Sequence, residues 1–131
     1  MLTRKRTTNL TTKQKREMLL RIADRIERDA SLYDFWSCRV PKSLNCGTPT
    51  CILGWIAFEL GIPGTDDPRN TYLTQAAYEV FGYEDWEFYE NMEYHDVNER
   101  WMDNNIDAAN TLRRLVDEEF PLSDSDDEDK G

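Results

Sequence analysis

An all-α fold, a compact bundle of four to five helices around one central apolar helix, is what this chain predicts, and three observations carry that expectation. The block Cys51 to Leu60 is apolar apart from Glu59, and a helix without a polar face has to be wrapped by other elements. Apolar residues on either side of the block recur at three- and four-residue spacing, the period of a helix that buries one stripe. The chain has 131 residues with four Trp, six Tyr and five Phe, enough large side chains for one domain with a real core and too short a chain for two.

The organisation that follows is a flexible basic arm over residues 1–10, one helical domain over 11–120 and an acidic tail over 121–131, disordered by composition. Thr11 and Thr12 can each cap the first helix, and Met18, Leu19, Ile22, Ala23 and Ile26 then mark its buried stripe, so the spacing predicts a helix from about Lys13 to Arg28. Glu17 and Arg21 stand one turn apart and add roughly a few tenths of a kcal/mol. Leu32, Tyr33, Phe35 and Trp36 form an aromatic cluster expected to seat the chain against the core. The segment 37–45, with Pro41, reads as a loop, with a short strand or an irregular crossing around Cys38–Val40.

For the central helix, Thr48 is a good N-cap and Pro49 suits the first helical position. Gly61 serves as the C-terminal stop and Pro63 prevents resumption, so its expected span is about 49–60. Gly54 inside it costs about 1 kcal/mol relative to alanine, which predicts that a neighbouring helix or a Trp ring lies against its bare backbone. Residues 64–70 read as a loop. A third helix runs from about Thr71 to Phe81, with Leu73, Ala76, Ala77, Val80 and Phe81 on its apolar face and Gly82 at its end. A fourth, about Glu84 to Met92, is expected to present Trp86, Phe88 and Tyr89. Val97 and Trp101 are candidate anchors of the polar stretch 94–104. The last helix is expected to start with Asn105 as cap and Asp107 in the favourable first turn. Its buried side is Ala108, Ala109, Leu112, Leu115 and Val116, and Pro121 stops it.

Charge divides the chain. Residues 1–16 hold six basic side chains and no acidic one, whereas residues 72–131 hold 18 acidic and four basic. Such a field repels nucleic acid and attracts basic surfaces, including the nucleic-acid grooves of other proteins. The longest apolar block is about half the ~20 residues of a membrane span, and the N-terminus lacks the apolar core of a secretory signal. The expectation is a soluble, cytoplasmic chain with no membrane association and no direct nucleic-acid contact. Its three cysteines, an odd number, would then be free thiols in a reducing cell.

The stretch Cys46-Gly47-Thr48-x-x-Cys51-x-x-Gly54-Trp55 resembles the C-G-T-x-x-C-x-x-G-W signature of a family of small uncharacterised proteins from bacteriophages and prophages. Upstream, a helix followed by an aromatic stretch ending in Phe35-Trp36 is similar to that family's approach to the motif. Downstream, Ala76-Ala77-x-x-Val80-Phe81-Gly82 looks like its A-x-x-L-L-G-L helix, and Ala108-Ala109-x-x-Leu112-x-x-Leu115 like its closing helix. The resemblance spans roughly residues 15–118, with the specificity in the central ten. The basic arm and the acidic tail are not features of the family. No reaction is assigned to it. The resemblance implies a phage accessory gene, and such genes often encode small inhibitors of host machinery or immunity.

Cys38, Cys46, Cys51 and His95 could nominally complete a Cys₃His set, but the spacings contain no C-x₂-C knuckle, and no resident metal or cofactor is expected. Cys51 would sit at the third helical position, where the helix dipole lowers a thiol pKa, yet no partner base is visible, and packing at a crowded corner is the favoured role. Glu59 either reaches solvent or meets an arginine of the first helix. The pairs Asp66/Asp67 and Glu84/Asp85 read as capping and solvation. The acidic residues Asp85, Glu87, Glu90, Glu93, Asp96, Glu99 and Asp103 recur every two to four positions, interleaved with Trp86, Phe88, Tyr89, Tyr94 and Trp101. The plain reading is a solvated acidic face over a core stripe. The sharper one is an interface for a host protein with a basic surface, with Asp85, Glu87, Glu90, Glu93, Asp96 and Glu99 as the partner-binding residues. The function expected is therefore non-enzymatic binding that occludes a basic groove; the resemblance implies that this is the work of a phage anti-defence inhibitor. A thiol- or metal-dependent activity centred on Cys46 and Cys51 is the alternative.

Overall fold

A computed structural model describes residues 10–37, 39–43, 47–62 and 71–122. Among the described residues there are five α-helices and no strand: α1 (Thr12–Arg28), α2 (Ile52–Leu60), α3 (Thr71–Phe81), α4 (Asp85–His95) and α5 (Asn105–Glu119), with a single 3-10 turn at Ala30–Leu32. The expected basic arm, apart from Leu10, and the acidic tail from Ser123 onward lie outside the described residues, as do Cys38, Cys46, Pro63 and the pair Asp66/Asp67.

α1 begins with a reciprocal cap. Thr11 Oγ1 accepts from the Gln14 N–H at 3.1 Å, and Gln14 Oε1 accepts from the Thr11 N–H at 2.9 Å, so two of the helix's orphan donors are satisfied. Its buried stripe is the predicted one, Met18, Leu19, Ile22, Ala23 and Ile26, and its most extensive packing is against α5. The polar contacts along the seam fix its direction. Arg16, near the start of α1, pairs with Asp117 near the end of α5 at 2.7 Å and donates to the Phe120 carbonyl at 3.2 Å. At the other end, the Asn105 amide donates to the Ile26 carbonyl at 2.8 Å, and Arg113 joins Asp24 at 2.7 Å and Glu27. Start meets end on both sides, so the two helices run antiparallel.

α2 starts three residues later than predicted. Thr48 is not its cap and Pro49 is not in it; Cys51 occupies the N-cap position, without a side-chain cap hydrogen bond. The reason is a competing role for the residues just before. Thr50 forms an isolated parallel bridge with Tyr33, its carbonyl accepts from the Asp34 N–H at 3.0 Å, and its hydroxyl accepts from the Arg39 N–H at 2.9 Å. That extended backbone lashes the loop after α1 to the helix and cannot also be its first turn. The C-terminus is as expected: Gly61 takes a left-handed φ of 76°, and the Ile62 N–H returns to the Ala57 carbonyl at 2.9 Å, a Gly-terminated helix end.

From Ile52 to Ala57 every residue of α2 is buried, Trp55 completely. Trp55's indole N–H donates to the Leu32 carbonyl at 2.7 Å, the Arg25 guanidinium lies 5.8 Å from its ring centre, and Phe58 meets it edge-on. The atoms nearest Gly54 belong to neither a helix nor a Trp ring. A Cβ there would stand 2.1 Å from the Arg39 carbonyl oxygen and 2.1 Å from Thr50 Oγ1. The bare backbone therefore accommodates the same loop that Thr50 ties down. Glu59, the one charge in this helix, meets Arg21 of α1 at 3.1 Å.

α3 follows α2 closely in space and lies between α2 and α4. Being covered on two sides, it buries a wider arc than the predicted face, including Tyr72 and Glu79. Phe81 joins Phe88 of α4 and Phe120 after α5 in an aromatic seam. α5 is capped by Asn104, one residue before the predicted cap. Its side chain accepts from the Ile106 and Asp107 N–H groups at 2.9 and 3.1 Å, which leaves Asn105 to reach α1.

Candidate functional site

α4 carries the acidic and aromatic residues that the sequence singles out, and its register decides which of them face outward. Phe88 and Met92, four residues apart, are its buried positions. The opposite arc, at i, i+4, i+7 and i+8, presents Trp86, Glu90, Glu93 and Tyr94, all exposed, with Glu87 half-buried at its edge. Asp85 and Glu87 in the first turn favour the helix through its dipole. Of the three aromatics that the sequence names for this helix, Phe88 is core, Tyr89 is half-buried and Trp86 stands out, 55% exposed. Tyr94 is 83% exposed.

The chain leaves α4 through a turn organised by Asp96. Its carboxylate accepts from the backbone N–H groups of Asn98 at 3.2 Å, Glu99 at 2.9 Å and Trp101 at 3.3 Å. Glu99 sits in the left-handed region, φ 58°, an uncommon conformation for a side chain of its kind. Asp107 holds the turn from α5, accepting from the Asn98 amide at 3.0 Å. Trp101 is the anchor the sequence suggested: it is buried, and its carbonyl accepts from the Tyr33 hydroxyl at 2.8 Å. Val97, the other candidate anchor, is 71% exposed.

Beside this turn lies an open concavity of about 400 Å³, walled by Glu93, Asp96, Glu99 and Asp103 with Arg100, Trp101 and Met102. Its far rim is continued by Trp36, whose indole N–H donates to Asp103 Oδ1 at 3.2 Å. Trp36 was expected to seat against the core, and it is instead 69% exposed. Phe35, beside it, does the seating: it meets Trp36, Tyr89 and Trp101 edge-on at 4.9, 5.5 and 5.1 Å. The loop after α1 and the outer side of α4 therefore share one continuous face.

Of the six predicted partner-binding residues, Glu87, Glu90 and Glu93 line the outer side of α4, and Glu99 is exposed on the turn. Asp85 is turned towards α3, where Thr74 Oγ1 donates to it at 3.2 Å, and Asp96 is engaged by backbone N–H groups. These two hold the scaffold. The residues that sequence reading did not place on the face are Trp36 and Glu84, the latter accepting from the Trp86 indole N–H at 3.0 Å; Asp103 belongs to the acidic series read from the sequence but not to the six partner-binding residues. Residues 84–103 contain eight acidic side chains and one basic, Arg100, so the face draws in cations.

Cys51 was expected in the first turn of a helix with its thiol at the dipole. It lies before the helix and is 1% exposed, where it packs as a small apolar residue. Among the described residues no three His, Cys, Asp or Glu side chains are grouped so as to hold a metal ion, and no helix is long and apolar enough to cross a membrane.

Comparison with family models, with curated proteins and with solved structures returns no match to this chain.

Proposed function

We propose that this is a non-enzymatic binding protein that docks on a basic surface of another protein through the outer side of α4 and the turn that follows it. One observation carries the reading: Glu87, Glu90 and Glu93 share an arc of α4 with exposed Trp86 and Tyr94, and α4 bears no lysine or arginine. Aromatic rings supply buried area on association, and the carboxylates around them supply steering and selectivity for positive partners. On the resemblance of the Cys46–Trp55 stretch, the chain is a phage accessory product acting in the host cytoplasm. Its partner is a host protein whose nucleic-acid groove it occludes, as an anti-defence inhibitor does.

Affinity capture from host-cell lysate tests this. The parent chain and a Glu87→Lys/Glu90→Lys/Glu93→Lys variant are compared at low and high salt, with circular dichroism to confirm equal helix content. The expected result is a basic protein retained by the parent at low salt, released at high salt and not retained by the variant. Retention indifferent to both salt and charge reversal would sink the proposal.

A further inference from the structure

The two exposed tryptophans share a feature that the buried ones do not. Trp86 gives its indole N–H to a carboxylate, Glu84 Oε1 at 3.0 Å, and Trp36 does the same with Asp103 Oδ1 at 3.2 Å. Trp55, in the core, gives its N–H to a backbone carbonyl. Each outer pair tethers an exposed indole, 55% exposed for Trp86 and 69% for Trp36, through one hydrogen bond and sets a negative charge beside its N–H. The second oxygen of each carboxylate, Glu84 Oε2 and Asp103 Oδ2, has no partner among the described residues.

A flat π surface with a carboxylate at its rim matches one side chain better than any other. The guanidinium of arginine is planar and stacks on aromatic faces, and its fork donates in its own plane to a carboxylate. It is also more weakly hydrated than the lysine ammonium, so it gives up less water on an open surface. Trp is the strongest of the aromatic partners for a cation. The concavity between Glu93 and Asp103 joins the Trp36 pair to α4 and adds negative charge along the route.

We propose that Trp86–Glu84 and Trp36–Asp103 are two guanidinium receptors, and that the partner segment covering this face carries arginine rather than lysine at the positions that meet them. This rests on the reading of the face as a protein-binding surface and goes further in naming the side chain recognised.

The test is calorimetric titration of the full chain with two capped peptides, octa-arginine and octa-lysine, in low-salt buffer, followed by tryptophan fluorescence. The arginine peptide is expected to bind about fivefold or more tightly than the lysine peptide, each exposed cation–π contact supplying a factor of that order. A Trp36→Leu/Trp86→Leu variant removes that preference, weakening the arginine peptide by a larger factor than the lysine peptide. Glu84→Gln/Asp103→Asn retains an oxygen to hold each indole but reduces the arginine preference. Equal affinity of the two peptides for the parent, or an arginine preference that survives loss of both tryptophans, overturns the receptors. If the peptides bind equally but weaken in the Glu87→Lys/Glu90→Lys/Glu93→Lys variant, the protein-binding face stands without them. If neither peptide binds, both readings fall.

Discussion

At the scale of single residues, the tightest constraint is at Gly54. Sequence reading had inferred crowding there, because a glycine inside an apolar helix is costly unless something lies against it. The identity of that neighbour was not legible: the Arg39 carbonyl and the Thr50 hydroxyl arrive from a loop and an extended residue, neither of which has a periodic signature. Both atoms lie 2.1 Å from where a Cβ would stand, and one is backbone, so the strain cannot be relieved by a side-chain rotation. Gly54→Ala is expected to destabilise the fold by about 3 kcal/mol or more, well beyond a propensity effect in the opposite direction, as read from denaturant midpoints. A midpoint within about 0.5 kcal/mol of the parent would contradict this geometry. Thr50→Val, which strips the acceptor from the Arg39 N–H, should cost about 1–3 kcal/mol in the same assay. Cys51 yields a second residue-scale expectation. With 1% exposure, its thiol should resist alkylation in the folded chain and react once the chain is unfolded, which peptide mapping by mass spectrometry resolves. Rapid labelling under native conditions would return the residue to the list of reactive thiols.

At the scale of elements, what the sequence made legible depended on whether one signal dominated. α1 and α3 were readable to within a residue because caps, periodic stripes and a terminal glycine agreed. The start of α2 was misread because Thr48-Pro49 is a good cap by local chemistry, while Thr50 is recruited by Tyr33, Asp34 and Arg39, contacts made at long range in sequence. The core side of α4 was not legible for a different reason: Trp86, Phe88 and Tyr89 have similar hydrophobicity, so periodicity alone could not choose it, and packing against α3 and α5 did. On α5 the adjacent asparagines divide two tasks that sequence reading had merged. Asn104 caps the helix, and Asn105 clasps the end of α1 through the Ile26 and Glu27 carbonyls at 2.8 and 3.3 Å. Asn104→Ala is expected to cost about 1 kcal/mol as a lost cap, and Asn105→Ala about 1–2 kcal/mol by leaving those carbonyls without their donor. The two costs should be nearly additive if the tasks are separate. A double variant no worse than either single one would show that both asparagines serve one interaction.

At the scale of the whole molecule, the helical framework is bound by the antiparallel α1–α5 clasp, and its charge is segregated so that the outer side of α4 stays acidic. That segregation has a consequence for alkaline stability through Tyr83, which lies in the short connection between α3 and α4. Its ring stacks on Phe81 at 5.4 Å, and its hydroxyl donates to Glu119 Oε2 at 3.3 Å. Burial raises its pKa well above the ordinary value of 10.0; the hydrogen bond with Asn91 opposes that rise, and the negative charges of Glu119 and Glu87 add to it. The folded state thus favours the neutral phenol more strongly than the unfolded chain does. The sign follows from linkage: below the unfolded value of about 10 the contribution is fully present, and it is lost as pH rises from there through the higher folded value. Tyr83→Phe keeps the stacking on Phe81 but has no proton to lose. Denaturant midpoints measured from about pH 8 to about pH 12 should therefore fall more steeply for the parent than for Tyr83→Phe, with the difference between the two curves isolating this one hydroxyl from the other tyrosines and the lysines. Glu87→Lys should shift the parent curve in the same direction as Tyr83→Phe but by less, because it removes only one of the charges that oppose the phenolate. Parallel curves for parent and Tyr83→Phe would mean that the phenol at the α3–α4 connection ionises as freely in the fold as in the open chain, and that the acidic face and the aromatic seam are electrostatically independent.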